Sequence, residues 1–189
     1  MEPAIFSALI GVGLSAACGF RVFVPLLILN LAARNGYLTL AGGFEWMGST
    51  PALIAFASAT ALEIGAYYIP LVDNVLDAAA APSAVIAGIL TTASQVADMH
   101  PMLAWSVAIV AGGGAAGAVQ GLTTITRQLS TLATAGFGNP VFSTFEAGAS
   151  IGLAVIAITL PIAAAVILLL LVYFAAKKIF FREKTAEAA

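Results

Sequence analysis

The sequence predicts an all-α fold, a polytopic transmembrane helical bundle with about five spans and a possible inverted-topology repeat. Of the 189 residues, 61% are hydrophobic and only 8% are charged, whereas soluble domains carry roughly 25% charged residues. So few charges cannot cover a water-facing surface, so we expect an integral membrane protein whose partner is the lipid bilayer. The net charge of −2 and the absence of a basic stripe exclude nucleic acid as an expected partner.

Apolar stretches long enough to cross a bilayer recur along the chain, since a spanning helix needs about 20 such residues. The five predicted spans are residues 3–32, 51–69, 79–96, 102–122 and 141–176. We expect Pro25 to kink the first span and Pro70 to break the second. The last stretch exceeds one straight span, so it tilts, projects past the membrane or is divided by Pro161. The five-span prediction keeps it whole.

Charge at the C-terminus predicts the orientation. Residues 1–176 form the predicted transmembrane domain, and the polar tail 177–189 contains four of the seven cations. The positive-inside rule places this tail in the cytoplasm. Five spans then put the N-terminus outside and the loop around Arg34 inside, whereas six spans reverse both. The N-terminus lacks a basic signal region, so we expect its first helix to be retained.

Two predicted spans share a pattern of small residues spaced four apart. These residues are Gly11, Ser15 and Gly19 in the first span, and Gly113, Gly117 and Gly121 in the fourth. Such faces let two helix backbones approach closely, which is one explanation of the pattern. The other is an inverted-topology repeat, because the five-span order makes these two helices cross in opposite directions.

Ionisable side chains inside spans are costly and normally face the protein interior or a wet cavity. Arg21 can be neutralised by Glu63 or Glu146. Arg127 can pair with the other glutamate or with Asp73. Either these groups are structural ion pairs between helices, or surplus carboxylates line a polar site for a cation or proton.

Asp73 and Asp77 lie four residues apart, so a helical "LVDNVLD" would place both on one face. They can also sit among the lipid headgroups, solvated at the interface.

The segment "TAGFGNPVFSTFE", residues 134–146, combines turn residues with a helix start. Gly136 and Gly138 permit tight, left-handed backbone. Asn139 can cap the helix that Pro140 begins. The free N–H groups at that start could bind an anion, in a gating or binding element built on a broken helix. A simple turn and cap is the alternative.

Motifs of known chemistry are absent from the sequence. Cys18 is the single cysteine and excludes an intrachain disulfide or a Cys-based zinc site. His100 is the single histidine and lacks a second histidine as a metal partner. No Ser-His-Asp grouping, phosphate loop or dinucleotide fingerprint occurs. We therefore expect no enzyme and no cofactor, and the sequence leaves a metal undefined.

Three segments, "GLSAACGFRVFVPLL", "LEIGAYYIPLVDNVLD" and "GFGNPVFSTFE", resemble the bacterial membrane family called domain of unknown function 4126. The resemblance spans roughly residues 11–161. It implies an arginine in the first helix, a Glu-Pro-Asp pattern after the second, and a Gly-Asn-Pro turn followed by an acid. The matching residues are Arg21, Glu63, Pro70, Asp73, Asp77, Gly138, Asn139, Pro140 and Glu146.

The chain departs from the family pattern at two places. Tyr67 and Tyr68 stand where the family often has an acid and a lysine, and Ala147 stands where a second acid often follows. If those charges serve a site, the site of this chain differs. The resemblance implies a multi-pass protein of the bacterial inner membrane, whereas the family name implies no activity.

The expected function is a small transporter or channel for a small solute or cation, acting as a homodimer because the chain is short. The expected binding residues are Arg21, Glu63, Asp73, Asp77, Asn139 and Glu146. The expected gating or helix-breaking residues are Pro70, Gly136, Gly138 and Pro140, with Arg127 as a secondary charge. The alternative is a non-transporting scaffold or assembly factor, which predicts that every buried acid is paired and that no cavity adjoins one.

Overall fold

A computed structural model describes residues 2–66, 70–97, 99–134 and 138–186. Side chains are described in these ranges except at 2–3, 70–78, 133, 175 and 178–186. The described residues form helices joined by turns and loops, with no strand among them, which confirms the all-α prediction.

The helices follow one another in a simple order. They are α1 Glu2–Cys18, α2 Phe23–Arg34, α3 Thr50–Ala66, α4 Pro70–Ala93, α5 Pro101–Val107, α6 Gly114–Thr134, α7 Asn139–Thr159 and α8 Pro161–Ala186. A π-helical segment, Ala108–Gly113, joins α5 to α6 in one continuous helix. Among the described residues, two helices are long and apolar enough to cross a membrane: Pro101–Leu132 and Asn139–Thr159. Two such helices are a weak indication of a membrane protein.

The predicted first span is interrupted, so the expectation of one helix kinked at Pro25 is wrong. α1 ends at Cys18 and α2 begins at Phe23. Pro25 lies in the first turn of α2, where a missing N–H costs no helical hydrogen bond. The break lies at residues 19–22. There Gly19 packs so tightly on α6 that an added Cβ would lie 2.6 Å from the Ala116 carbonyl oxygen.

After this break the chain returns beside α1. Gly11 packs on α4, where an added Cβ would lie 2.9 Å from the Cα of Thr92. The backbone N–H of Ala41, in the segment after α2, donates to the carbonyl of Ser94 at 2.7 Å. The loop after α2 therefore reaches the end of the bundle near Gly11, Ala41 and Ser94, which we call the basal end. The opposite end, which contains residues 19–22, is the break end.

Close contacts also fix the direction of α6. Ser15 donates a short hydrogen bond to the Gly112 carbonyl, and Gly19 packs on Ala116 one turn later. α1 and α6 therefore run in the same direction, and the expectation that they cross oppositely, as in an inverted repeat, is wrong. The contacting residues of this helix are Gly112 and Ala116, one position before the predicted face that begins at Gly113.

The last apolar stretch is two helices, so the prediction of a single long span is wrong. Leu160 leaves the helical conformation at φ −137° and ψ 66°, and Pro161 starts α8. An added Cβ at Gly13 would contact Ala157 of α7 at 2.7 Å and Ala164 of α8 at 3.2 Å. α8 therefore folds back along α7, with the turn at the basal end.

Two other predicted boundaries shift. The third span begins at Pro70 instead of residue 79, because "LVDNVLD" belongs to α4, which also contains Pro82. The polar segment after residue 122 continues α6 to Thr134. Both corrections lengthen helices toward the break end, where Arg21, Arg127 and Glu146 lie.

Candidate functional site

Glu146 is the centre of a charged cluster at the break end. It lies on α7 and is only 5% exposed. Arg127 of α6 donates from Nε to both carboxylate oxygens at 3.0 Å, and its terminal nitrogen also pairs with Oε2. The Nη2 of Arg21 lies 3.3 Å from the same Oε2. One carboxylate therefore bridges two guanidinium groups, whereas the sequence allowed Glu63 as the partner of either arginine.

Arg21 lies in the break between α1 and α2 and is 1% exposed. Its Nη2 donates to the Ser143 carbonyl oxygen at 3.0 Å and also to the Ser143 hydroxyl. A buried cation persists only when it is paired and hydrogen-bonded, and these contacts supply both conditions. Sequence analysis missed Ser143 as a partner, although it lies three residues before Glu146 and so on the same helix face.

Glu63 of α3 is bound differently. Its Oε1 accepts from the backbone N–H of Val22 at 2.8 Å, and its Oε2 accepts from that of Phe23 at 3.0 Å. Helix starts leave backbone N–H groups without intrahelical partners and attract negative charge. Glu63 therefore supplies the cap of α2 from a distant helix. Among the described residues it forms no ion pair within 4.0 Å, although Arg21 and Arg127 both attract it through the Coulomb interaction.

Glu63 also lines a groove of about 330 Å³ between the start of α2, α3 and α4. The remaining lining is mainly apolar, and α4 contributes Ala79, Ala80 and Ser83. The backbone of α4 brings Asp73 and Asp77 to the same end of the bundle. Their side chains lie outside the described part of the chain, so their place in the site stays a prediction.

The Gly-Asn-Pro turn differs in detail from its prediction. Gly138 has φ −79°, an ordinary value, so the expectation of left-handed backbone there is wrong. A Cβ at Gly138 would lie 2.8 Å from the Ser130 hydroxyl oxygen, so close packing on α6 explains the glycine. Asn139 does not cap α7. It is the first helical residue, and its amide donates to the Thr131 hydroxyl at 3.1 Å.

Two of the predicted helix-breaking prolines, Pro70 and Pro140, lie at helix starts near the break end. Pro70 begins α4, and Pro140 occupies an early position of α7, as proline favours. Gly136 lies outside the described residues.

Two arginines and two glutamates thus lie at the break end, and the Gly-Asn-Pro turn begins the helix that carries Glu146, two turns before it. A family model described as Domain of unknown function (DUF4126) matches residues 8–180. The chain belongs to this family. The resemblance of its motifs is therefore confirmed over most of the chain. No curated protein and no solved structure matches this DUF4126 chain.

Other reactive residues of the DUF4126 chain lie away from the cluster or are buried in packing. His100 accepts from the Met102 backbone N–H at 3.4 Å at the start of α5. Cys18 is fully buried. Within the described residues, no group of three or more histidine, cysteine, aspartate and glutamate side chains is arranged around a metal position.

Proposed function

We propose that this DUF4126 protein is a small membrane transporter or channel for a small solute or cation, with its polar site at the break end. The observation that carries the proposal is the position of Glu63. Its carboxylate lines a groove, and the groups that donate to it are backbone N–H groups of an interrupted helix.

Interrupted helices supply binding elements in many transporters, because their half-helix ends present unpaired backbone groups to ions and substrates. In this chain Glu63 occupies such a helix start itself. A cation in the adjacent groove would compete with the Val22 and Phe23 N–H groups for this carboxylate. Protonation of Glu63 would weaken the same contacts. Either event would couple occupancy of the groove to the cap of α2.

Further members of the proposed site follow from position. Asp73 and Asp77 precede Ala80 by seven and three residues, which is the spacing of one helix face, and Ala80 lines the groove. Arg21 fixes the break to α7 through Ser143 and Glu146, whereas Glu63 fixes it to α3.

The proposed membrane placement rests on aromatic and basic residues. Exposed Tyr37, Trp46 and Trp105 lie at the basal end, and exposed Tyr173 lies in the middle of α8, farther toward the break end. Aromatic residues of this kind are typical of bilayer interfaces. The basic tail after residue 176 supports a cytoplasmic break end by the positive-inside rule. In this proposal the N-terminus and the Arg34 loop both lie outside, whereas the five-span prediction put the Arg34 loop inside. The protein is then a multi-pass bacterial inner-membrane protein that pairs as a homodimer.

A scaffold or assembly factor is the second candidate function. Glu146 favours it, because two guanidinium groups neutralise this buried carboxylate and leave its oxygens engaged in the helix interface. In that case the cluster holds α1, α6 and α7 together and moves no ion.

A proteoliposome flux assay separates the two candidates. Wild type is loaded with a pH-sensitive dye and tested against a panel of monovalent and divalent cations, beside Glu63→Gln and Glu146→Gln. Glu45→Gln is the matched control, since Glu45 is an exposed acid at the basal end. The proposal expects wild-type flux that disappears in folded Glu63→Gln and persists in Glu45→Gln. No flux for any ion in wild type would support the scaffold.

A further inference from the structure

The groove beside Glu63 reaches the outer surface of the bundle. Leu62 lines it and is 73% exposed, and Ala79 on the α4 side is exposed as well. In a chain with membrane-length helices, apolar exposed surface of this kind faces lipid. A solute with an apolar body can therefore reach the groove through the membrane, and the apolar walls of the groove favour such a body.

The described polar lining of this groove consists of oxygen atoms. Glu63 contributes two carboxylate oxygens, and Ser83 of α4 contributes a hydroxyl. A carboxylate has about four lone-pair sites. Each Glu63 oxygen accepts one backbone N–H, from Val22 or from Phe23. The carboxylate therefore keeps acceptor capacity for hydrogen-bond donors that enter the groove.

A primary ammonium group matches these acceptors. It carries several N–H donors and no acceptor, so it can donate both to a carboxylate and to a hydroxyl oxygen. Phe23 also lines the groove, and aromatic rings attract ammonium groups. An amine with an apolar body therefore fits both the polar and the apolar part of the lining.

Other solutes fit the described lining less well. Ca²⁺ takes about six to eight oxygen ligands, and Mg²⁺ requires a near-octahedral shell of oxygens. The described lining offers the Glu63 carboxylate and the Ser83 hydroxyl beside apolar side chains. An alcohol has a single O–H donor, so it satisfies less of the free acceptor capacity of Glu63.

The charges around Glu63 do not by themselves select a cation. Arg21 and Arg127 attract Glu63, and together with Glu146 these four side chains carry balanced formal charges. Selection therefore depends on the acceptor atoms that face the groove. A charged group without N–H donors cannot satisfy those atoms.

We infer that this groove binds a small primary amine with an apolar body, whose ammonium N–H groups donate to Glu63. The inference rests on the proposed function, because it names the solute class for the same groove. The groove volume of about 330 Å³ lies at the lower end of the range of about 300–1,000 Å³ that is common for small-molecule sites, so the amine is small.

Equilibrium dialysis of the full chain in nanodiscs tests the inference as binding, independently of transport. The probes are benzylamine, benzyl alcohol and benzyltrimethylammonium, which share one aromatic ring. The last of them is charged but has no N–H donor. Empty nanodiscs correct for partition into lipid. We expect wild type to bind benzylamine at least about tenfold more tightly than either other probe, the effect of one hydrogen bond to a charged group.

Two variants locate the bound amine. Glu63→Gln removes the charge of the acceptor, and Ala80→Leu fills the groove from α4, so each should weaken benzylamine binding at least about tenfold. Ala81→Leu is the matched control, because Ala81 is exposed and does not line the groove. It should bind as wild type does. If Ala80→Leu fails to fold, Ala59→Leu fills the groove from α3, with exposed Ala57→Leu as its control.

Equal binding of benzylamine by wild type and Glu63→Gln would overturn the inference. So would equal binding of benzylamine and benzyltrimethylammonium by wild type, because charge alone would then select the ligand. Flux of inorganic cations without benzylamine binding would overturn the inference and leave the transport proposal standing. Benzylamine binding that depends on Glu63, without flux of any ion or of benzylamine, would support the inference and reject transport.

Discussion

Glu146 and Glu63 are acids of the same type, both near the break between α1 and α2, yet they are held in opposite ways. Glu146 is 5% exposed and bridges two guanidinium groups. Glu63 is half-buried, accepts from two neutral backbone N–H groups and borders a groove. The first carboxylate is neutralised by fixed charges, whereas the second is held by neutral donors at the edge of a groove.

This difference suggests separate tests for the two acids, one of stability and one of the proposed transport. Removing one member of a buried ion pair leaves an uncompensated charge, which is among the most destabilising changes known. A carboxylate bound by neutral donors can exchange partners at lower cost, because each hydrogen bond to a charged group contributes about 1.5–3 kcal/mol. Stability should therefore depend mainly on Glu146, and the proposed transport on Glu63.

The largest expected effect is that of Glu146→Gln. It leaves the guanidinium groups of Arg21 and Arg127 buried without their shared anion, so we expect a loss of about 3–5 kcal/mol in the free energy of unfolding. Denaturant unfolding in detergent measures it. Glu45→Gln, an exposed control, should change stability by less than about 0.5 kcal/mol. A Glu146→Gln protein as stable as wild type would show that the cluster does not hold the helices.

Glu63→Gln should have a smaller effect on stability. The amide oxygen still accepts one backbone N–H, but the negative charge at the start of α2 is lost, which costs about 1–2 kcal/mol. The same unfolding measurement checks this value, and the flux assay should show loss of transport in the folded variant. If Glu63→Gln destabilised the protein as much as Glu146→Gln does, the two acids would contribute equally to stability and the proposed difference between them would be wrong.

Ser143→Ala should have the smallest effect. It removes the hydroxyl that accepts from Arg21 but keeps the backbone carbonyl acceptor and the Glu146 pair. Because the guanidinium keeps these two acceptors, we expect a loss below the roughly 1.5–3 kcal/mol of a lone hydrogen bond to a charged group, near the average of about 0.6 kcal/mol between membrane helices. The proposed transport should be retained. Thr144→Ala is the control, because the Thr144 hydroxyl is exposed and donates to the carbonyl of Pro140 on its own helix. A loss above about 2 kcal/mol would mean that Ser143 sets the position of Arg21.

The sequence predicted the burial of Arg21 correctly, because an arginine among apolar residues must face the protein interior. It left the pairing open, since Glu63 and Glu146 are equivalent until α3 and α7 are placed in space. The sequence also did not predict the break between α1 and α2 at residues 19–22. Pro25 was the visible helix breaker, whereas the break depends on two tertiary contacts, Gly19 on α6 and Glu63 on α2.

Proline and small residues predicted where a helix ends or packs closely, but they did not predict the register or direction of the packed helices, which depend on tertiary contacts. Pro161 was recognised as a place where the last stretch could divide, and the structure divides it there. The small-residue pattern correctly indicated close helix contacts but not their register, because Gly112 and Gly113 are indistinguishable until α4 is packed against the helix. The direction of α6 relative to α1 depends on the return of α2, which no local pattern signals.

The carboxylate that caps α2 is synthesised later than α2 itself. Glu63 follows Val22 by 41 residues, and ribosomes add about 5–20 residues per second, so the acid emerges roughly 2–8 s after the N–H groups that it binds. Until α3 is synthesised, the start of α2 lacks this carboxylate. The return of α2 beside α1 is therefore completed by the third helix, and the N-terminal region reaches its final arrangement after its own synthesis has ended.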